Sequence, residues 1–275
     1  MLGSFHRRTK IRPLDDVDLI FGLSAEGSTY GTFGSQIVLY AHPESRRLQS
    51  LCHDGTQQVN SRKVLNRFVT ALSNVPQYKR ADIGRDGEAA VVSLSYDWSF
   101  DVVPAFFTKP EADGRTYYLI PDGQGHWKKT DPRIDDQRII AQNQRHQGIV
   151  LPTIRLLKYW NKRRTVPTVR SYAFESMILS HYEATAPAQV AWVDVECCKV
   201  LNTIATSIYL AIPDPKGIQG DLNTLSITER QELSTRANVD VNLINEAIGA
   251  ENSGDHRTAM ARWRQVIGPD FPAYG

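Results

Sequence analysis

Cysteine is scarce in this sequence, and long apolar runs are absent. Among 275 residues there are three cysteines, Cys52, Cys197 and Cys198. These cannot build a disulfide framework or a Cys-x-x-Cys zinc knuckle, so we expect buried or idle thiols. The N-terminus carries no apolar signal-peptide core, and no stretch reaches the roughly 18 consecutive apolar residues of a membrane span. We therefore expect a cytoplasmic protein with no membrane association.

An excess of charge of one sign is also missing. The 32 basic and 30 acidic residues leave a formal net charge of +2. That is too little for the broad basic surface with which proteins bind the phosphates of DNA or RNA. The densest local group of cations runs from Lys158 to Arg164, and it is equally compatible with a solvated helix end. We therefore expect no strong nucleic-acid footprint.

The chain changes character near residue 130. Before that point, short β-rich runs alternate with turn signals, at 17–23, 35–41, 89–107 and 116–123, and one helix is predicted over 61–75. After it the pattern is helical almost throughout, with helices predicted at 134–145, 148–163, 169–184, 189–212, 228–249 and 254–267. The sequence thus predicts an α+β lobe over residues 1–130 and an all-α lobe over 131–275. A cleft between two such lobes is the default ligand site.

Aspartates open the first predicted strand, within LDDVDL at residues 14–19. Because side chains alternate along a strand, Asp16 and Asp18 share a face, about 7 Å apart along the strand. Two carboxylates at this spacing repel each other unless a cation lies between them, and a divalent metal supplies that charge. The alternative is that both aspartates cap a turn after Pro13.

A third carboxylate comes from the stretch VSLSYDWSFD, residues 92–101. Its apolar and polar residues alternate strictly, which predicts one long strand with Asp101 on the polar face at its end. Asp101 could complete a metal site with the first two aspartates. The alternative is an ordinary solvent-facing strand residue.

The pair Gly3-Ser4, upstream of the aspartates, favours the metal site. Glycine permits a close approach of backbone to ligand, and the serine hydroxyl with nearby N–H groups can bind phosphate oxygens. Arg7, Arg8 and Lys10 add positive charge to the same segment. The combination indicates a site for a phosphate-bearing substrate with a metal.

The order Gly-Ser, eleven residues, then Asp-Val-Asp-Leu resembles the signature of polymerase-β-type nucleotidyltransferases. Four segments, GSFHRRTKIRPLDDVDL, SFDVVPAFF, LPTIRLLKYWNK and SYAFES, are similar in this order to the cGAS/DncV-like (CD-NTase) branch, to which oligoadenylate synthetases are related. The resemblance runs from Gly3 to about Tyr182. It implies a polymerase-β-like nucleotidyltransferase lobe followed by a helical lobe, with the active site in the cleft between them.

The resemblance also implies a role for each matched residue in the first lobe. Gly3 and Ser4 would hold the triphosphate of the donor nucleotide. Two Mg²⁺ ions, or Mn²⁺ in their place, would be ligated by Asp16, Asp18 and Asp101, and Asp101 would serve the metal that activates the attacking ribose hydroxyl.

Three residues of the helical lobe match the family's nucleotide-binding positions. By resemblance, Lys158 would contact phosphates, Ser171 would reach the phosphates, and Tyr172 would stack on the base. Read by themselves, Lys158 is compatible with a surface cation and Tyr172 with a core aromatic residue.

The implied activity is synthesis of a cyclic di- or trinucleotide from ATP, GTP or both, with release of pyrophosphate. In this family the product is a second messenger of the anti-phage CBASS systems and activates a downstream effector. The terminal Gly275 resembles a substrate of E1/E2-like ligases. Two alternatives stay open: an enzyme that makes linear oligonucleotides or modifies RNA or protein, and a nucleotide-binding module without turnover.

The sequence departs from the family pattern in two respects. Members usually have a long helix and a short strand before the Gly-Ser pair, whereas only Met1 and Leu2 precede it here. We therefore expect an N-terminally truncated chain. Such a truncation is the reason for the second alternative, a nucleotide-binding module without turnover. Cys52 and His53 supply at most two ligands, so we expect no metal-binding insertion of the kind that senses DNA.

Overall fold

The computed structural model of the protein describes residues 3–11, 16–34, 36–94 and 98–275, and for Asp16 it describes the backbone alone. The chain forms two compact units, Met1–Arg133 (unit 1) and Ile134–Gly275 (unit 2). Unit 1 combines a sheet with short helices, and unit 2 is helical. The predicted α+β class is therefore confirmed.

Unit 1 is organised around one sheet, to which the described residues contribute eight strands. They are β1 Asp16–Leu23, β2 Thr29–Phe33, β3 Gln36–Tyr40, β4 Asp82–Asp86, β5 Ala89–Ser93, β6 Ser99–Phe107, β7 Tyr118–Pro121 and β8 Trp127–Thr130. The strand order is β2-β3-β8-β7-β6-β5-β4, and β1 pairs with β6. The β1–β6 pair is parallel, and the other pairs are antiparallel. The accompanying helices are α1 Gly3–His6, α2 Arg46–Gln49 and α3 Ser61–Ser73, with a 3₁₀ turn at Pro76–Tyr78.

The single strand predicted across residues 92–101 is wrong, because β5 and β6 form an antiparallel hairpin there. The register pairs Val91 with Asp101 and Val92 with Phe100, so every residue faces a partner of the same parity. Partners in an antiparallel pair project from the same face of the sheet. Odd-numbered residues therefore lie on one face and even-numbered residues on the other in both strands. A hairpin with this register and a continuous strand have the same pattern in the sequence. The predicted polar positions at residues 95 and 97 lie outside the described part of the chain.

Helix α3 packs its apolar face on the sheet. Asn60 caps the helix, accepting hydrogen bonds from the backbone N–H groups of Arg62 at 2.9 Å and Lys63 at 3.3 Å. Val64 on this face joins the buried cluster that fills the space between helix and sheet. The other members of that cluster are Ile37, Leu39, Ala41, Leu48, Cys52, Val59, Phe106, Leu119 and Trp127.

Unit 2 contains six helices within the described residues. They are α4 Pro132–Arg145, α5 Val150–Asn161, α6 Ser171–Ala184, α7 Val193–Ser207, α8 Ile227–Asn252 and α9 His256–Ile267, of which α4 begins two residues before the boundary. Helix α7 is shorter at both ends than the predicted 189–212. Trp192 has extended backbone at its start, and the Asn223 side chain binds the carbonyls of Ile208 and Leu210 beyond its end.

The core of unit 2 holds a carboxylate among its apolar side chains. Asp240 on α8 is fully buried, and its Oδ2 accepts hydrogen bonds from Trp160 Nε1 at 2.7 Å and Arg236 Nε at 2.8 Å. The Arg163 guanidinium lies 3.9 Å from the same oxygen. Burial raises the pKa of Asp240, and the hydrogen bonds and the cations oppose that shift. The carboxylate thus joins α5 and α8 in the interior.

The described residues also bear on two predictions from the sequence, which concern the cysteines and membrane-spanning helices. Cys52 and Cys197 are buried and Cys198 is half-buried, and all three are free thiols. None of the helices in the described ranges combines the length and the apolar character needed to cross a membrane.

We predict that Asp240→Ala lowers the free energy of unfolding by about 3 kcal/mol, because it leaves Arg236 and Arg163 without their buried counter-charge. Urea denaturation followed by tryptophan fluorescence measures the change. The matched control is Glu246→Ala on the same helix, since that carboxylate pairs with Arg262 at a side chain that is 53% exposed. The control should cost less than about 1 kcal/mol. Equal losses in the two variants would show that the buried network is not a stabilising feature.

Candidate active site

The parallel pair β1–β6 places two aspartates side by side. Asp18 lies opposite Asp101, and Asp16 lies opposite Ser99. Neighbouring strands are about 4.8 Å apart, and partners in register project from the same face of a sheet. Both Asp18 and Asp101 are half-buried. The two carboxylates thus share one partly exposed patch of the sheet.

Beyond the two aspartates, this face becomes apolar along the strand pair. The next partners along the pair are Ile20 with Val103, then Gly22 with Ala105. Val103 and Ala105 belong to a buried cluster against which Ile20 packs. The opposite face carries Val17, which is buried. The aspartates therefore occupy the polar end of a face that otherwise belongs to the core.

Two like charges on adjacent strands destabilise a sheet unless a cation compensates them. Carboxylate oxygens are the ligands that Mg²⁺ prefers, so the pair Asp18 and Asp101 fits a divalent metal by charge and by donor type. Within the described residues no group of three or more His, Cys, Asp or Glu side chains is placed to hold a metal ion. The third predicted ligand, the side chain of Asp16, is not among the residues so described. The predicted metal set therefore stays a prediction, with two of its members side by side.

Gly3 packs directly against Asp18. Its backbone has φ = +68°, and a β-carbon built on it would overlap the Asp18 carboxylate. Glycine is needed here for both its positive φ and its missing side chain. The carbonyl of Ser4, the next residue, accepts hydrogen bonds from the N–H groups of Thr9 at 2.9 Å and Lys10 at 3.0 Å, which folds the segment back on itself. Gly3, Ser4, Asp18 and Asp101 are thus brought together within unit 1.

Lys158 lies in the interior of unit 2. Its ammonium is 3.3 Å from Glu175 Oε2, and the two side chains are 8% and 4% exposed. The pair joins α5 to α6. Glu175 was not predicted as a site residue, although it belongs to the segment SYAFES that carries the family resemblance.

Ser171 and Tyr172 begin helix α6. Ser171 is exposed and Tyr172 is half-buried. The Tyr172 hydroxyl lies 2.9 Å from Oδ1 of Asp135 and 2.9 Å from Oδ1 of Asp214. Burial, together with these two carboxylates, raises the pKa of Tyr172 well above its usual value, so the phenol keeps its proton.

A lysine completes the surroundings of Tyr172. The ammonium of Lys216 is 4.2 Å from the ring centroid and 3.1 Å from Asp135 Oδ2. Burial alone would raise the pKa of Asp214, but hydrogen bonds from the backbone N–H groups of Gln219 and Lys216 and from the Tyr172 hydroxyl hold it below its usual value. The sequence analysis missed Asp135, Asp214 and Lys216. The turn-forming segment PDPKG, residues 213–217, signals a loop there but not the helix that it contacts.

No protein-family model matches the chain. It is 44% identical over 276 residues to a "Probable cyclic nucleotide synthase" of Bacillus cereus (strain VD146), covering 99% of this chain and 81% of that protein. It is 28% identical over 186 residues to a "Cyclic AMP-AMP-AMP synthase" of Acinetobacter sp. (strain ATCC 27244 / 9458), covering 62% of this chain and 50% of that protein.

Solved structures of the same kind share the fold. CdnC of E. coli MS115-1 with ATP superposes with a TM-score of 0.65 at 15% identity, over 99% of this chain and 83% of CdnC. The cyclic AMP-GMP synthase DncV of Vibrio cholerae, described as a prokaryotic cGAS homologue, gives a TM-score of 0.67 at 11% identity, over 98% of this chain and 68% of DncV.

These likenesses first define a class: the protein is an enzyme with the nucleotidyltransferase fold, which confirms the predicted class of activity. The near full-length identity of 44% then places it more narrowly. The chain belongs to the cGAS/DncV-like nucleotidyltransferase, or CD-NTase, family.

We predict that Gly3→Ala lowers the rate of pyrophosphate release from NTPs about 100-fold. The reason is that the added methyl group would overlap the Asp18 carboxylate and push it out of its position. The rate is measured with a coupled pyrophosphatase assay. Gly22→Ala, on the same strand as Asp18, is the matched control, since a β-carbon there meets no atom within 4 Å. A Gly3→Ala variant as fast as the control would contradict the contact between Gly3 and Asp18.

Proposed function

We propose that this nucleotidyltransferase joins nucleoside triphosphates into a cyclic di- or trinucleotide messenger and releases pyrophosphate. The observation that carries the proposal is the β1–β6 register, which sets Asp18 beside Asp101, with Gly3 against Asp18. The names of the two relatives, one a cyclic AMP-AMP-AMP synthase, support a cyclic product and ATP as one substrate. The name of the solved cyclic AMP-GMP synthase makes GTP the other candidate.

Asp18 and Asp101, with Asp16 two residues before Asp18 on β1, are the residues that would hold two Mg²⁺ ions, or Mn²⁺ in their place. When bound, the metal lowers the pKa of the attacking ribose hydroxyl and neutralises charge on the leaving pyrophosphate. The protein's own part is to supply the carboxylates on a rigid pair of strands, which fixes their spacing before any substrate arrives.

The remaining predicted residues bind and orient the nucleotides in this proposal. Gly3 leaves the space beside Asp18 free of a side chain, and with Ser4 it holds the triphosphate. The exposed Ser171 contacts phosphate, and Lys158 does so when its ammonium, paired with Glu175 in this structure, turns to the nucleotide. Tyr172 stacks on a base, which contributes about 1–3 kcal/mol and tolerates any base.

We place this synthesis in the cytoplasm, within an anti-phage CBASS system whose effector binds the cyclic product. Membership of the CD-NTase family supports this setting. Cells that carry the operon with Asp101→Asn should lose resistance to phage that the wild-type operon confers. Resistance that is independent of Asp101 would contradict the role in signalling.

We predict that the wild-type protein, incubated with all four NTPs and Mg²⁺, gives a product that phosphatase does not degrade, because a cyclic product has no terminal phosphate. Asp18→Asn and Asp101→Asn should each lower its yield at least about 100-fold, since each removes charge that stabilises the transition state. Asp86→Asn is the control, because Asp86 is an exposed aspartate on β4 of the same sheet.

The other outcomes decide between the remaining functions. A phosphatase-sensitive product would indicate linear oligonucleotides, and labelled nucleotide on RNA or protein would indicate transfer to a macromolecule. Nucleotide binding without pyrophosphate release under any NTP mixture would indicate a module without turnover. Each of these results would overturn the cyclic synthase.

We also propose that an E1/E2-like ligase acts on the exposed terminal Gly275. A terminal residue without a side chain fits a narrow active site, so Gly275→Glu should abolish conjugation and leave NTP consumption unchanged. Mass spectrometry of the protein from cells that carry the ligase genes detects the conjugate, with Tyr274→Phe as the control. Conjugation that survives Gly275→Glu would contradict this part of the proposal.

A further inference from the structure

The loop that follows α7 is folded around one carboxylate. Asp214 accepts hydrogen bonds from the backbone N–H groups of Lys216 at 3.2 Å, Ile218 at 3.1 Å and Gln219 at 2.8 Å. An isolated antiparallel bridge joins Pro213 to Asp221 and closes the loop at its base. The loop, residues 213–221, therefore has a fixed shape of its own, and Asp214 is its centre.

This loop is fastened to two helices through Tyr172. The Tyr172 hydroxyl on α6 lies 2.9 Å from both Asp214 of the loop and Asp135 of α4. Lys216 of the loop returns to Asp135 at 3.1 Å. The loop backbone between Asp214 and Lys216 thus connects the two ends of this series of contacts. Each of the three charged side chains belongs to a residue that is 8% exposed.

The two carboxylates of this cluster face one ammonium, and the backbone N–H groups of the loop supply the remaining stabilisation of Asp214. A phenol has one proton, so Tyr172 donates to one carboxylate at a time, and the ammonium of Lys216 supplies the positive charge that lets Asp135 and Asp214 lie so close together. Burial makes each missing partner costly, and a satisfied network of this kind specifies a unique side-chain orientation. The Tyr172 ring is therefore held at its hydroxyl end.

One face of the ring is also occupied. Lys216 Nζ lies 4.2 Å from the ring centroid, within the range of a cation–π interaction. That face is therefore closed to a nucleobase. The cluster thus holds the tilt of the Tyr172 ring, which also packs against the apolar core of unit 2.

We infer that Asp135, Asp214 and Lys216 are positioning residues that hold the Tyr172 ring for stacking on the base of a bound nucleoside triphosphate. This inference rests on the proposed function, in which Tyr172 stacks on a base. The three residues act through Tyr172 and do not themselves touch the nucleotide.

A double-mutant cycle tests this dependence. The probe is 2-aminopurine riboside triphosphate, whose fluorescence is quenched when its base stacks on an aromatic ring. Tyr172→Leu should remove the quenching and weaken binding about tenfold, in line with the loss of about 1–3 kcal/mol of stacking. Lys216→Met keeps the length of the side chain and should weaken binding about fivefold. The double variant should bind no more weakly than Tyr172→Leu alone, because Lys216 has then lost the group on which it acts.

Tyr159→Phe is the matched control, because Tyr159 also donates its hydroxyl to a carboxylate, that of Asp270, within the same unit. Its quenching and affinity should equal those of the wild type. Melting temperatures of all variants separate a general loss of stability from a loss of stacking. Losses of affinity that add in the double variant, or an unchanged affinity in Lys216→Met, would overturn the inference.

The result does not depend on turnover. If the wild type binds the probe and the cycle is non-additive, the positioning residues stand even where no cyclic product forms. If a cyclic product forms but quenching does not depend on Tyr172, the positioning role is wrong and the proposed synthase activity is supported. A wild type that does not bind the probe contradicts both.

Discussion

The parallel pairing of β1 with β6 is the constraint on which the active site depends. A parallel register sets Asp18 directly beside Asp101, although 83 positions separate them in the chain, and Gly3 lies against Asp18. Two carboxylates in that position are unfavourable by themselves. The apolar partners that follow, Ile20 with Val103, keep the register and so force the carboxylates together. The core of unit 1 thus fixes the two aspartates side by side.

From the sequence, Asp18 and Asp101 could be singled out more readily than the strand pairing that brings them together. The alternating pattern placed Asp101 on the right parity, whereas the Gly-Ser pair indicated a phosphate site and gave no sign that Gly3 lies against Asp18. The hairpin between β5 and β6 could not be seen, because its register pairs residues of equal parity and leaves the alternation unbroken. The pairing of β1 with β6 was equally hidden, since periodicity reports which face a residue occupies but not which strand is its neighbour.

Unit 2 shows the same limit for charged residues. Helix positions followed from the period of the apolar residues, whereas the partners of the buried charges did not. Lys158 meets Glu175 across two helices, and Tyr172 meets a loop more than 40 residues further along the chain. Such long-range pairs leave no local pattern. The buried polar groups that fix α6 therefore emerged only from the structure.

The central claim is that Asp18 and Asp101 together bind the divalent metal on which synthesis depends. Its most direct test is a Mn²⁺ titration by electron paramagnetic resonance, with a non-hydrolysable NTP present, of the wild type, Asp18→Asn, Asp101→Asn and the control Asp86→Asn. The account predicts Mn²⁺ binding by the wild type and the control, and affinity at least about tenfold weaker in the two site variants, since each loses a charged ligand. Equal affinity in all four proteins would contradict it.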